Sequence, residues 1–266
     1  MTYSAKILAD SIGTHGCRLT TMAVTFPRIV LAEFNTHRVF SRNSASSRAI
    51  PIEKQIQRVV ADPFIPIFRA NQKGMQPGGE LKAGDEMAAK RKWLCARDVA
   101  IEHADHLAYL GVHKQWVNRL LEPFMWHTVI VSSTEWDNFF NLRCHPDAQD
   151  EIRIVARLMR DALNDSEPNQ LAIGEWHLPY SDPEFDCDVE ESDWPKLSAG
   201  RCARVSYLTH DGKRSPEADL DLFNKLAASG HWSPMEHAAM CMGGPSRVRN
   251  FVGWNQLREF EEFKYA

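Results

Sequence analysis

Residues 36–48 bring together the side chains with the most chemistry to offer: Thr36, His37, Arg38, Ser41, Arg42, Asn43, Ser44, Ser46, Ser47 and Arg48. Three arginines, four serines, an asparagine and a histidine are a set suited to holding an anion. Guanidinium forks supply fixed charge and paired donors, hydroxyl and amide groups fill the gaps, and the imidazole can take or give a proton. A solvated polar connection is the alternative reading of the same composition. The mostly apolar run 26–34 leads straight into the cluster, so a buried element delivers it to one place.

A second polar cluster lies near the C-terminus, at His231, Ser233, Glu236 and His237. His231, Glu236 and His237 do not have the spacing of a closed zinc site, and no HExxH pattern is present, so no metal is expected. There is no G-x-S-x-G elbow, no G-x-G-x-x-G after a strand and no P-loop, so any nucleotide must be held by other means.

The elements that must position these groups follow from periodicity and punctuation. Residues 19–24 read as a strand and 29–34 as a short helix ahead of the polar loop. Residues 52–60 have helical spacing. Prolines and glycines across 63–84 predict an exposed loop or lid, and 85–110 a long helix with Met87, Leu94, Ile101, Ala104 and Ala108 on one face, stopped by Gly111. Val129, Ile130 and Val131 are β-branched and strand-like, while 136–142 and 148–163 read as helices. Residues 166–195, acidic and proline-containing, read as a linker or partly ordered flap. Ser215, Pro216 and Glu217 form a helix start and Gly230 a stop; 238–242 follow as a strand and 246–263 as a closing helix.

The chain has 266 residues, 44% of them hydrophobic, and a net charge of −4. That is ordinary for a soluble globular protein and gives no generally basic surface for nucleic acid. No secretory signal follows Met1, and the longest uncharged apolar-rich run, 123–134, is too short to span a membrane, so a cytoplasmic protein is expected. The six cysteines form no CxxC pair and suggest no disulfide framework. Cys144 and Cys202 each follow an arginine but read as buried structural thiols, not nucleophiles.

The pattern His37-Arg38-x-x-Ser41-x-Asn43-x-x-Ser46-x-Arg48 resembles the R-H-R-x-x-S-x-N-x-x-S-x-R signature of flavin-dependent thymidylate synthases, the ThyX family, at six of its seven typed positions. Arg119-Leu-Leu-Glu-Pro123 is similar to the family's A-R-x-x-L-P segment. Asn138-Phe-Phe-Asn-Leu-Arg143 with Ala148-Gln149-x-Glu151-Ile152-Arg153 is similar to its helix carrying a substrate-binding arginine. Ala203-Arg204-Val205-Ser206 and Gly230-His231-x-Ser233-Pro234-x-Glu236-His237 resemble blocks that the family places before the histidine–arginine loop. Here they come last, so the chain resembles a circularly permuted, divergent member.

The resemblance implies an α/β (α+β) fold: a central mixed sheet flanked by helices, ThyX-like with permuted segment order. One domain would span 1–266, with insertions near 63–84 and 166–195. It also implies a homotetramer binding FAD at subunit interfaces, with NADPH and methylenetetrahydrofolate as co-substrates for converting dUMP to dTMP. Carried over by position, His37, Arg38 and Arg143 are the implied catalytic residues. Ser206, His231, Ser233, Glu236, His37, Asn43 and Asn138 would lie at the flavin, and Glu33, Ser46, Arg48, Arg119 and Arg143 at the nucleotide. The chain departs from the family pattern at Thr36, Glu33, Ser44, Ala49, Ser132 and Thr134. Glu33 keeps a second reading open, methylation or hydroxymethylation of another deoxypyrimidine nucleotide such as dCMP, because a carboxylate accepts from a cytosine amino group. A non-catalytic nucleotide-binding relative is the third.

Overall fold

The computed structural model describes residues 2–207 and 215–264. Strands β1 (Ser4–Gly13) and β2 (Arg18–Pro27) form an antiparallel hairpin with a bulge between Ile7 and Ala9. After a short helix α1 (Leu31–Phe34), strand β3 (Ser41–Ser44) carries the middle of the polar loop. Helices α2 (Ile52–Ala61), α3 (Ala83–Tyr109) and α4 (Lys114–Val117) precede β4 (Trp126–Ser133). Helices α5 (Asp137–Arg143) and α6 (Asp150–Asn164) then lead to β5 (Asn169–Leu171). The resulting sheet has the order β3-β4-β2-β1-β5, antiparallel except for the β1–β5 pair. It is therefore mixed, as expected.

The inner strands are covered on both faces, so β2 and β4 are buried along almost their whole length, their threonines and serines included. On one face Met22, Val24, Phe26, Val129 and Val131 pack against Phe34, Phe139, Ile152, Val155 and Met159 from α1, α5 and α6. The spacing of Ile152, Val155, Ala156 and Met159 places one side of α6 in that core. On the other face Ile130 meets Cys202 and Val205 of α7 (Trp194–Tyr207). Burial pushes the Cys202 thiol up, in keeping with a structural cysteine.

Three expectations fail. Residues 166–195 are not a loose linker: they supply β5, the strand β6 (Trp176–His177), and the buried His177 and Asp186. Proline and acidic content hid two strands too short to show a period. Residues 246–263 are not one helix. After α8 (Pro216–Ala228), capped by the Ser215 hydroxyl accepting from Ala218 N, and β7 (Ala239–Cys241), the chain makes a hairpin of β8 (Arg247–Val248) and β9 (Phe251–Val252). It then forms β10 (Trp254–Gln256), paired to β7, and only a short α9 (Leu257–Glu262). Arg249 and Gly253 adopt φ of 51° and 80°, left-handed values that break a helix. Gly253 is also required sterically, since a Cβ there would stand 2.4 Å from the His15 ring. Finally, Met87 of α3 is exposed. That helix buries Ala104 and packs Trp93, Ala100, Ile101 and Leu107 against Val117, Leu121 and Phe124, so its inner face begins a turn later. Among the described residues no helix is long and apolar enough to cross a membrane.

Candidate functional site

The turn between α1 and β3 turns His37 inward. Its ring lies between Phe40 and Phe139, with centroids 5.8 and 4.9 Å away, and is almost fully buried. Arg143, the last residue of α5, donates from Nε to His37 Nε2 at 2.9 Å. Its Nη2 donates to Thr36 Oγ1 at 3.1 Å and to the Glu33 carbonyl at 3.3 Å. Arg42 Nη1 donates to the His37 carbonyl at 3.2 Å. Burial, then the Arg143 and Arg42 charges, pull the His37 pKa down to about 4. At neutral pH His37 is thus an uncharged imidazole accepting at Nε2, which assigns its proton to Nδ1.

His37, Arg143 and the backbone carbonyl of Glu33 therefore form one cluster, and Glu33 Oε2 is buried without a hydrogen-bond partner among the described residues. Arg119 stands a short way off in an open groove lined by Arg28, Ile29, Leu31, Asn35 and Glu122. Glu122 is the hub of this corner: it accepts from the Ser47 hydroxyl at 2.5 Å, pairs with Arg28 at 3.3 Å and stands 3.8 Å from Arg119. Arg28 also reaches His127 Nε2 at 3.0 Å, and burial with that charge lowers the His127 pKa to about 3. Ser46 and Arg48 lie exposed on the loop; Ser46 Oγ accepts from Arg48 N, and among the described residues the Arg48 guanidinium has no partner. Arg38 is likewise exposed, and its guanidinium has no partner among the described residues.

The C-terminal segment joins the far side of the loop. Asn43 donates to the Cys202 carbonyl at 2.9 Å, and the Ser233 hydroxyl stands 3.4 Å from Asn43 Oδ1. Gln256 ties both parts together, donating to Ser41 Oγ and to the Glu236 carbonyl, each at 2.8 Å. Glu236 itself is ion-paired with Arg258 at 2.7 Å. Residues far apart in sequence, Asn43 and Ser233, are thus neighbours in space. Not every expected residue joins in. His231 is exposed and bonds Ser229, and Asn138 is exposed with no side-chain hydrogen bond among the described residues. The side chain of Ser206 lies outside the described residues.

Sequence reasoning missed Glu122, Arg28 and His127. Glu122 stood inside a motif noted for its arginine. It also missed a polar chain through the sheet: Ser11 to His177 Nδ1 at 2.9 Å, His177 Nε2 to Thr21 at 2.8 Å, Thr21 to Ser132 at 2.6 Å, and Ser132 to His237 Nδ1 at 2.8 Å. Both histidines are fully buried and pulled down to about 3 by burial. No local pattern marks such a chain, because its members come from separate elements.

The profile of the thymidylate synthase complementing protein family, Thy1, matches residues 17–169, more than half of the chain. That stretch contains the histidine–arginine loop, the Arg119 segment and helices α5 and α6. Among solved structures, the UMP/dUMP methylase PolB from Streptomyces cacaoi bound with 5-Br dUMP has a similar fold. Its TM-score is 0.51 at 17% identity, covering 61% of this chain and 90% of that one. The same protein bound with 5-Br UMP superposes with a TM-score of 0.49 at 16% identity, covering 61% and 88%. No curated protein matches the sequence.

Proposed function

The chain belongs to the Thy1 family of thymidylate synthase complementing proteins, and on that premise we propose that it is a flavin-dependent thymidylate synthase-like methyltransferase converting dUMP to dTMP with NADPH and methylenetetrahydrofolate. The observation that carries this reading is the Glu33–His37–Arg143 cluster, in which a fixed cation without a carboxylate partner stands beside a neutral, buried imidazole. Arg143 is the group for a uracil edge, where a fixed charge stabilises negative charge developing on the ring. Arg48 and Arg119 are the groups for the 5′-phosphate, and Ser46 adds a hydroxyl donor. The similarly folded PolB, described as bound with 5-Br dUMP, supports a pyrimidine nucleotide as ligand.

The donor set fits FAD along its exposed rim. Arg38 and Asn138 are exposed with unpartnered donors, suited to phosphates and to a flavin ring edge. Asn43 and Glu236 are engaged within the subunit and act by holding the loop against the C-terminal segment. When bound, the flavin supplies the hydride. His37 and Arg143 shape the ring-binding edge, Ser233 supports Asn43, and His231 offers an exposed imidazole. We read the chain as one cytoplasmic domain that is circularly permuted, its C-terminal blocks completing the site, and as acting in a homotetramer. Calorimetry with oxidised and reduced FAD, followed by turnover of dUMP with both co-substrates, tests the proposal. Absence of FAD binding in both states overturns it.

One observation favours a second reading. The unpartnered buried oxygen of Glu33 is an acceptor awaiting a donor, and the cytosine amino group is one where uracil presents a carbonyl. Methylation or hydroxymethylation of dCMP is therefore the alternative. Competition binding of dUMP and dCMP to wild type and Glu33→Gln separates the two: a dUMP:dCMP ratio unmoved by the substitution removes the cytosine reading.

A further inference from the structure

A cavity distinct from the open groove at Arg119 lies among the described residues. This cavity of about 360 Å³ sits on the other side of Arg28, between α2, the loop after β3 and the start of β4. Its walls are mainly apolar, with Val59, Phe124 and Val205 among them, and Trp126 and Tyr180 line it. That volume is within the range of small-molecule sites, which combine apolar walls with a few polar groups.

Three features of the lining stand out. Arg58 enters from α2 half-buried and, among the described residues, its guanidinium makes no ion pair or hydrogen bond. Burial pulls its pKa down, and although Asp62 also lines the cavity no carboxylate forms an ion pair with Arg58 among the described residues. One turn earlier Gln55 is 3% exposed, and its Oε1 is buried without a partner. A polar residue on the buried side of an amphipathic helix, its acceptor unmatched, is costly in a core and useful in a pocket. Tyr180 holds a φ of 61°, an outlier for a bulky side chain. Its carbonyl is pinned by Arg201 Nη1 at 2.8 Å, so the strained backbone is locked against the cavity wall.

We propose that this cavity is a binding site for a small planar organic anion: Arg58 takes its carboxylate or phosphate, Gln55 Oε1 accepts from an N–H or O–H, and Trp126 and Tyr180 flank its flat body. The site stands whether or not the nucleotide reading holds, since it shares only Arg28 with the groove at Arg119, and Arg28 is already neutralised by Glu122.

Benzoate, phenyl phosphate and the uncharged isostere benzamide are the probes, titrated calorimetrically into the full chain. Wild type should bind at least one of the anions ten-fold or more tightly than benzamide. Arg58→Gln should abolish that preference, Arg58→Lys should retain part of it, and Arg119→Gln should leave it intact. The melting temperature of Arg58→Gln should not fall, because the cation it removes has no partner to strand. The proposal is overturned if benzamide binds as well as both anions, if Arg58→Gln binds the anions like wild type, or if Arg119→Gln loses them to the same extent. An Arg58→Gln protein that melts well below wild type would assign Arg58 to the fold instead. Carboxylate against phosphate preference identifies the acid group of the natural ligand.

Discussion

Arg201 in α7 and Arg143 at the end of α5 are the same side chain in opposite surroundings. The Arg201 guanidinium is buried and saturated: Asp186 takes both Nη atoms at 2.7 and 2.6 Å, Asp219 takes Nε at 3.1 Å, and the Tyr180 carbonyl accepts as well. Burial alone would lower its pKa, but the two carboxylates raise it on balance. Arg143 is half-buried and meets only neutral acceptors, namely an imidazole, a hydroxyl and a carbonyl. A cation closed off by carboxylates has nothing left to bind and serves the fold. A cation held in place by neutral groups keeps its charge uncompensated, which is the premise of the ligand role proposed for Arg143. The difference separates other arginines too: Arg18, Arg69 and Arg258 pair with carboxylates as Arg201 does, while Arg38, Arg48 and Arg58, like Arg143, form no ion pair among the described residues.

The hardest blow to that division is on stability. Arg201→Met should take the guanidinium from two carboxylates that are 2% and 1% exposed, Asp186 and Asp219, and leave Asp219 with Arg204 alone. Removing one partner from a buried pair costs about 3–5 kcal/mol. Chemical denaturation should show a loss of that order, and a loss below about 1 kcal/mol would mean that saturation by carboxylates is not what marks a structural arginine.

Acid separates the two regions next. His177 and His237 titrate near 3 in the fold and His37 near 4, against 6.5 unfolded. The unfolded chain therefore binds more protons below pH 6.5, and stability falls as pH drops from there toward 4 and below. Between pH 6.5 and 5 each of these histidines should take away about 2 kcal/mol. His177→Gln should flatten the slope of stability against pH over that interval. An unchanged slope would mean that His177 titrates as it does in the unfolded chain.

On ligand binding the order reverses. Arg143→Gln should leave stability within about 1 kcal/mol but weaken dUMP, because a hydrogen bond to a charged group contributes about 1.5–3 kcal/mol, roughly ten- to a hundred-fold in affinity. The same substitution removes one of the two charges depressing His37, so the His37 pKa should rise, which an NMR titration of the ring can follow. Unaltered dUMP affinity would place Arg143 with the structural set.

What the sequence made legible follows the same line. The loop from His37 to Arg48 stood out because its cations are clustered within one segment and, among the described residues, none of them forms an ion pair with a carboxylate. The helix at 150–164 could be read because a single apolar stripe meets a single sheet face. Arg201, Asp186, Asp219 and His177 could not be read, since each acquires meaning only from a residue many positions away, and His237 stood out only as part of a local cluster, not for its bond to Ser132. Strand β1 escaped for a related reason: its outer residues are polar or small, and its pairing to β2 is interrupted by a bulge that spoils the alternation. The hairpin at 247–252 was lost because Arg249, not a glycine, occupies a left-handed position there.

The smallest and most discriminating effect concerns Arg48. It is exposed on the loop, close in sequence to Ser46 and Ser47, and the described residues give its guanidinium no partner. A residue of that kind contributes little to folding, so Arg48→Ala should not shift the melting temperature. If its charge is reserved for the 5′-phosphate, the substitution should cost about 1.4 kcal/mol, a ten-fold loss of affinity for dUMP. Deoxyuridine, which lacks the phosphate, should bind wild type and Arg48→Ala alike. The contrast with Arg143→Gln is then informative, because a cation at the ring edge should weaken nucleotide and nucleoside together. Raising the salt concentration should shrink the Arg48 effect, since an exposed cation is screened, and should leave the half-buried Arg143 effect nearly intact. Equal losses for dUMP and deoxyuridine in Arg48→Ala would move Arg48 away from the phosphate, and no loss for either would return it to the solvated surface.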